Sequence, residues 1–168
     1  MQMLRKRWIS IFVENEIGVL ARISGLFSSK SFNLDSLTVG TTEDNSISRM
    51  TISLTSDDQT FEQIKKQLNR SVEVIKVLDF TDTDIRTKEI MFAKISALTH
   101  RDLTELNNII AGFDAMVVEY DAETALIECV QAEDVNNDLV RLFEKSFPCR
   151  YEIVRGGSVA VEAVKVPV

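Results

Sequence analysis

Residues 8–40, WISIFVENEIGVLARISGLFSSKSFNLDSLTVG, pass from a strand-like segment through a polar turn into a helix-like segment, and close on an Asn-containing stretch that leads into another strand. Val19, Leu20, Ile23, Leu26 and Phe27 recur at i, i+1, i+4, i+7 and i+8, the stripe of an amphipathic helix, so a helix is expected to begin near Gly18. The first backbone N–H groups of a helix lack intrahelical partners and lie at the positive end of its dipole, which makes them a receptor for a carboxylate or a phosphate. Gly18 leaves room for close approach there. Asn15 adds an amide with donors and an acceptor, and Asn33 stands where the chain enters the next strand. A helix start flanked by two neutral amides suits a zwitterion. Asn and Gly are also favoured in turns and caps for local reasons, so the layout has a purely structural alternative.

Working outward from this stretch, the first half reads as strand (about 7–13), helix (18–30), strand (34–40), strand (47–55), helix (58–70) and strand (72–80). Ser48-Arg49-Met50-Thr51-Ile52-Ser53-Leu54 alternates polar and apolar side chains as a sheet with one covered face requires, and residues 42–46 supply a hairpin turn. Ser56 with Gln59 resembles a capping box for a helix whose inner face carries Phe61, Ile64 and Leu68. TDTDIRT (81–87) is polar and reads as a linker, after which the pattern restarts. Lys88–Leu98 is strand-like, and Thr99 with Asp102 offers a cap for a helix carrying Leu103, Leu106, Ile110 and Phe113. A hairpin (116–120 and 125–130), a helix with Val135, Leu139, Leu142 and Phe143, and a strand at 151–155 follow.

Each half is therefore βαββαβ, and the expected fold class is α+β: two ferredoxin-like domains in tandem. The expected bounds are 1–80 for the first domain, 81–87 for the linker, 88–157 for the second domain and 158–168 for a tail that orders against a partner. A domain of about 80 residues buries only some 60% of its unfolded surface, so homo-oligomerisation through sheets or edges is a physical expectation.

Composition narrows the function. The chain has 168 residues, 45% hydrophobic and 27% charged, with no apolar run long enough for a membrane span and no signal-peptide pattern, so a cytoplasmic protein is expected. A net charge of -7 disfavours nucleic acid, whose binding is driven by Lys and Arg on phosphates. RNA-recognition modules share the βαββαβ order, but the third strand, SRMTISL, carries none of the aromatics on which they stack bases. Cys129 and Cys149 sit in strand-like contexts and are expected to be inert buried thiols. Catalysis has few candidates: His100 is the only histidine, and no nucleophile elbow, phosphate loop or metal-ligand spacing is present. Glu43-Asp44, Asp57-Asp58 and Glu133-Asp134 fall in turns or first helical turns.

A set of short motifs then points to a family: Glu14-Asn15, Gly18, Gly25-Leu26-Phe27, Phe32-Asn33, Ser36-Leu37-Thr38-Val39 and Ser48-Arg49-Met50-Thr51-Ile52. They continue as Glu62-Gln63-Ile64 with Gln67-Leu68, and as Glu89-Ile90-Met91 with Lys94-Ile95. With these residues the N-terminal half resembles an ACT domain, and the chain resembles the small regulatory subunits of acetolactate synthase, also called acetohydroxyacid synthase. The resemblance covers nearly the whole chain and is dense from Trp8 to Ile95. It implies regulation of the enzyme that condenses pyruvate with pyruvate or 2-oxobutyrate on the way to valine, leucine and isoleucine. Thiamine diphosphate, magnesium and FAD then belong to the separate large catalytic subunit, and this chain is expected to hold no cofactor or metal and to catalyse nothing. The resemblance further implies activation of the large subunit and feedback inhibition, usually by valine, bound where two ACT domains of a homodimer meet. Carried over by position, Asn15, Ile17, Gly18, Val19 and Leu20 form one side of that site, and Asn33 with Leu34 from the second copy the other. Two positions depart: Ser31 stands where a glycine is usual, and Arg155-Gly156-Gly157 replaces a less glycine-rich run. The alternative is a stand-alone amino-acid-binding ACT regulator without a synthase partner, against which the lack of a helix-turn-helix or basic patch weighs.

Overall fold

A computed structural model describes residues 3–28 and 32–164; Ser31 lies outside the described residues. The elements run β1 (Arg5–Glu14), α1 (Val19–Ser28), β2 (Ser36–Thr41), β3 (Ile47–Ser56), α2 (Asp58–Leu68), β4 (Val74–Asp79), β5 (Ile85–Ile95), α3 (His100–Ala111), β6 (Met116–Tyr120), β7 (Ala125–Gln131), α4 (Glu133–Ser146) and β8 (Tyr151–Glu162). This is βαββαβ twice. The sheets are ordered β2-β3-β1-β4 and β6-β7-β5-β8, so in each the first and third strands of the repeat lie at the centre. The chain divides into two compact units, one comprising residues up to Arg86 with the segment from Val159 onward, the other Thr87–Ser158.

Period-two burial builds the first core. Ile9, Ile11 and Val13 on β1 and Met50, Ile52 and Leu54 on β3 turn to one face, where Val19, Ile23 and Phe27 of α1 and Phe61, Ile64 and Leu68 of α2 cover them. Each such side chain contributes roughly 1.5–3 kcal/mol when fully buried. The antiparallel register pairs Glu14 with Ile47 and Arg5 with Ser56, and places β2 on the outside with Ser36 opposite Ser53 and Thr41 opposite Ser48. Arg49, on the opposite face of the sheet, donates from Nε to Ser10 Oγ at 2.7 Å and from Nη2 to the Ala160 carbonyl at 3.0 Å. The second core repeats the design with Met91, Ala93 and Ile95 of β5, Ile127 and Cys129 of β7, Leu106 and Ile110 of α3, and Leu139 and Phe143 of α4.

Four expectations need correction. The N-cap of α2 is Asp57, whose carboxylate accepts from the Thr60 N–H at 2.8 Å; Ser56 is still the last residue of β3, paired with Arg5, and is not free to cap. Strand β5 starts at Ile85, inside the expected linker. Strand β8 continues to Glu162, through the first residues (158–162) of the expected tail. Cys129 is buried as expected, and burial raises its thiol pKa, but Cys149 is exposed in the turn after α4 at φ +59°.

The cap of α3 is a complete box: Thr99 Oγ1 accepts from the Asp102 N–H at 3.3 Å while Asp102 Oδ2 accepts from the Thr99 N–H at 2.8 Å. Asp102 is lowered from 3.8 to about 2, first by the Arg150 guanidinium at 3.0 Å and then by the Thr99 backbone. Its folded pKa is depressed, so its stabilising effect is present above the ordinary carboxylate value and disappears as pH falls through about 2. Thr99→Ala is expected to cost about 1 kcal/mol at neutral pH, with a gap to the wild type that narrows in acid. Urea unfolding at pH 7 and near pH 3 checks both parts, and equal penalties at the two values would contradict the box.

Candidate functional site

The segment between β1 and α1 is built around Gly18, which takes φ +88°, a conformation side-chain-bearing residues rarely adopt. A Cβ at Gly18 would lie 3.1 Å from Arg22 Nη1, so the guanidinium one turn along α1 stands over the glycine. Arg22 is held there by Glu73, Nε to Oε1 at 2.5 Å. The first turn of α1 carries no acidic residue, whereas α2, α3 and α4 carry Asp58, Asp102 and the Glu133-Asp134 pair in theirs. The dipole of α1 is thus left without a carboxylate in its own first turn, and an arginine lies beside it, which favours an anionic ligand. Sequence reasoning missed Arg22; its i+4 spacing from Gly18 was the available signal.

Asn15 is exposed but not idle. Its Nδ2 donates to the Asn45 carbonyl at 2.8 Å, its Oδ1 accepts from Ser48 Oγ at 3.0 Å, and its backbone N–H bonds the Ser46 carbonyl at 2.7 Å. The amide therefore ties β1 to the turn before β3, as the local alternative requires. One N–H and one lone pair of that amide remain by its inventory of donors and acceptors. Ile17 is fully exposed and Leu20 is 44% exposed, so both present apolar surface beside the start of α1. Val19 does not: it is buried on the same stripe as Ile23 and Phe27, and its side chain serves the core.

Asn33 and Leu34 lie in the segment before β2. The Phe32 N–H bonds the Phe27 carbonyl at 3.1 Å and the Asp35 N–H bonds Ser53 at 2.8 Å, which fixes the segment against the far end of β3. Asn33 is exposed, and Leu34 is half-buried against the first core. Within one copy, then, the candidate residues form two groups: Asn15, bonded to Ser48, with Ile17, Gly18 and Leu20 following it at the start of α1, and Asn33 near Thr55 and Ser56, with which it lines a cavity of about 400 Å³.

Among the described residues no cluster of three or more His, Cys, Asp or Glu is placed to hold a metal ion, and no helix is long and apolar enough to cross a membrane. His100 is exposed at the first position of α3.

Comparison with known proteins agrees with the motifs. Residues 9–76 match the family described as AHAS small subunit-like ACT domain, and residues 88–164 match the small subunit of acetolactate synthase. A probable acetolactate synthase small subunit of Archaeoglobus fulgidus is 38% identical over 158 residues, covering 93% of this chain and 96% of that protein. The acetolactate synthase small subunit of Haemophilus influenzae is 35% identical over 157 residues, covering 93% and 94%. The crystal structure of the Thermotoga maritima acetolactate synthase small subunit superposes with a TM-score of 0.85 at 30% identity, covering 96% of this chain and 99% of that one. With matches spanning both units and a fold shared over nearly the full length, the chain belongs to the family of acetolactate synthase small subunits.

Proposed function

We propose that this chain is a non-catalytic regulatory subunit that dimerises through its first unit, binds valine or a related branched-chain amino acid where the two copies meet, and transmits occupancy to the catalytic subunit of acetolactate synthase. One observation carries the reading: the two asparagines belong to opposite ends of β3. Asn15 bonds Ser48, whereas Asn33 shares its cavity with Thr55. Seven residue steps of strand separate those positions, roughly 23 Å at about 3.3 Å per residue. No single amino acid bridges them in one copy.

A second copy resolves the separation. β2 is an edge strand, paired only with β3 on its inner side, and a strand edge is a template for pairing. Antiparallel pairing of β2 with the same strand of a second copy, about a two-fold axis, sets the Asn33 end of one β2 beside the Thr41 end of the other. That end carries Asn15 and the start of α1. The ligand carboxylate then meets the α1 N–H groups and Arg22, the amides take the polar head, and Ile17 and Leu20 flank the side chain.

Occupancy alters the catalytic subunit only to the extent that the ligand binds the active and inhibited assemblies unequally. The first test is thermal. With valine at about a hundred times its dissociation constant, ligand that binds only the folded form adds about 2.7 kcal/mol, which raises the melting temperature by roughly 5–10 °C. Leucine and isoleucine give graded shifts. The absence of a shift with all three would remove the effector site, and failure of the chain to bind or modulate a purified large subunit would remove the regulatory role.

A further inference from the structure

The Ser48-Arg49-Met50-Thr51-Ile52 motif is only partly accounted for by the core and the effector site. Met50 and Ile52 fill the first core, and Ser48 Oγ donates to Asn15 Oδ1 at 3.0 Å. Arg49, next along β3, turns to the other face of the sheet. There its Nε donates to Ser10 Oγ at 2.7 Å, its Nη2 donates to the Ala160 carbonyl at 3.0 Å, and its guanidinium lies over the Phe12 ring at 5.3 Å. Ser10 is fully buried on β1, so one arm of the fork is anchored in the first sheet while the other holds the end of β8.

That end belongs to one of the two places where the chain crosses between the units. The crossings fall between Arg86 and Thr87, near the start of β5, and between Ser158 and Val159, within β8. β5 and β8 are neighbours in their sheet, and the bonding between them runs past both strands, from the Ala163 N–H to the Asp84 carbonyl at 2.8 Å. The two connections therefore enter the first unit as a hydrogen-bonded ribbon, and Arg49 grips it.

We propose that Arg49 is a clasp that couples effector occupancy to this ribbon: valine held at Asn15 stiffens the Ser48–Arg49 end of β3, and the clasp then holds the end of β8 more tightly. The proposal rests on the function given above and supplies the path by which occupancy leaves the first unit. The lever is short. Ser48 and Arg49 are consecutive, and their cross-strand partners Val13 and Phe12 stand two and three residues before Asn15. The register of β1 against β4 shifts between Phe12 and Val13, and such an irregularity concentrates the local twist of a strand beside the clasp. The grip is also polar. Ser10 faces Thr51 across the strands, both buried, and hydrogen bonds such as those of Arg49 weaken steeply when their angles change. A small displacement of β3 is thus enough to tighten or loosen the ribbon.

Hydrogen exchange of the peptide spanning residues 159–164 reads the clasp. In the wild-type full chain, saturating valine is expected to slow that exchange roughly fivefold, at the low end of couplings between sites. Arg49→Met keeps the unbranched stem and loses both bonds. Its exchange without ligand is expected to be roughly tenfold faster, the worth of a hydrogen bond made by a charged group. Valine affinity measured by calorimetry should stay within about twofold of the wild type, as for an independent site, while the exchange no longer responds to valine. A merely structural loss would speed exchange and leave that response in place. Arg49→Lys keeps the charge on a single ammonium that lacks the fork needed to hold Ser10 and Ala160 together, and its response is expected to lie between the two. Unchanged exchange of the wild-type peptide on saturation with valine overturns the coupling and leaves the effector site, which calorimetry reads separately. A full wild-type response in both variants overturns the role of Arg49. If the wild type binds no branched-chain amino acid, the coupling falls together with the function on which it rests.

Discussion

Arg155→Met is expected to destabilise the protein by about 3 kcal/mol, because it strips the cation from a buried carboxylate. Glu89 is only 4% exposed on β5, and the Arg155 guanidinium from β8 bonds both of its oxygens, through Nε to Oε1 and through Nη2 to Oε2 at 3.1 Å. Nη1 of the same arginine bonds Asn137 Oδ1 at 2.7 Å, and Ser158 Oγ donates to Glu89 Oε2 at 3.3 Å. Asn136, fully buried on α4, donates to the Glu89 carbonyl at 3.2 Å. The pair thus joins β5, β8 and α4. Arg155 is a third exposed, which places the expected cost at the lower end for a broken buried pair and well above the value of a surface pair. The melting temperature should drop by roughly 6–12 °C. Adding Glu89→Gln to Arg155→Met removes the stranded charge and should recover part of the loss, since the penalty comes mostly from the uncompensated carboxylate. A single variant within about 0.5 kcal/mol of the wild type in urea unfolding would show that the pair behaves as a solvated one.

The neighbourhood of that pair also explains why part of the chain was opaque in the sequence. In the sequence, Gly156 and Gly157 precede a tail expected to order against a partner. In the fold, a Cβ at Gly156 would come within 2.7 Å of Ile90 Cγ2, and Gly157 adopts φ +77°. The two glycines let β8 pass close over Ile90 and continue, with Ser158 and Ala160 buried and Val159 and Val161 turned outward in strand alternation. The requirement for glycine is set by a side chain 66 positions earlier, which no local pattern reveals. Ser56 and Asp57 present the same difficulty on a smaller scale. Both are good caps by residue type, and the choice between them is made by the pairing of Ser56 with Arg5 across the sheet. By contrast, the repeated βαββαβ order, the alternation along β3 and the Thr99–Asp102 box were legible, because each is written in neighbouring residues.

The candidate site divides along the same line. Gly18 and the stripe of α1 are local, and both were visible. What Asn15 touches was not: Asn45 and Ser48 lie about thirty residues away and give the amide a structural duty beside any ligand contact. Arg22 stands over Gly18 only because Glu73, at the foot of β4, holds it there. A helix start becomes a candidate receptor through such long-range placement, and in the proposed function the other half of the receptor comes from a second chain.

Mixing two defective chains should restore what neither possesses alone. Asn15→Ala removes the amide beside the α1 start, Asn33→Ala removes the amide at the other end of β3, and each loss is expected to weaken valine binding by roughly 10- to 100-fold. In a homodimer of either variant both sites are damaged, because on the proposed function every site takes one asparagine from each copy. In a mixed dimer the two losses fall together on one site, and the other site is assembled from the intact Asn15 of one copy and the intact Asn33 of its partner. Unfolding and refolding an equimolar mixture scatters the chains, so about half of the dimers are mixed and about a quarter of all sites are wild type. Calorimetric titration of the refolded mixture should therefore show tight valine binding at about a quarter of the wild-type stoichiometry, with each variant refolded alone showing none. A site formed within one copy makes the opposite forecast, since every chain in the mixture carries one of the two substitutions and no arrangement of copies repairs it. Recovery at that stoichiometry needs β2 to face β2 across a two-fold axis, so the measurement tests the dimer, the division of the site between copies and the role of both asparagines at once.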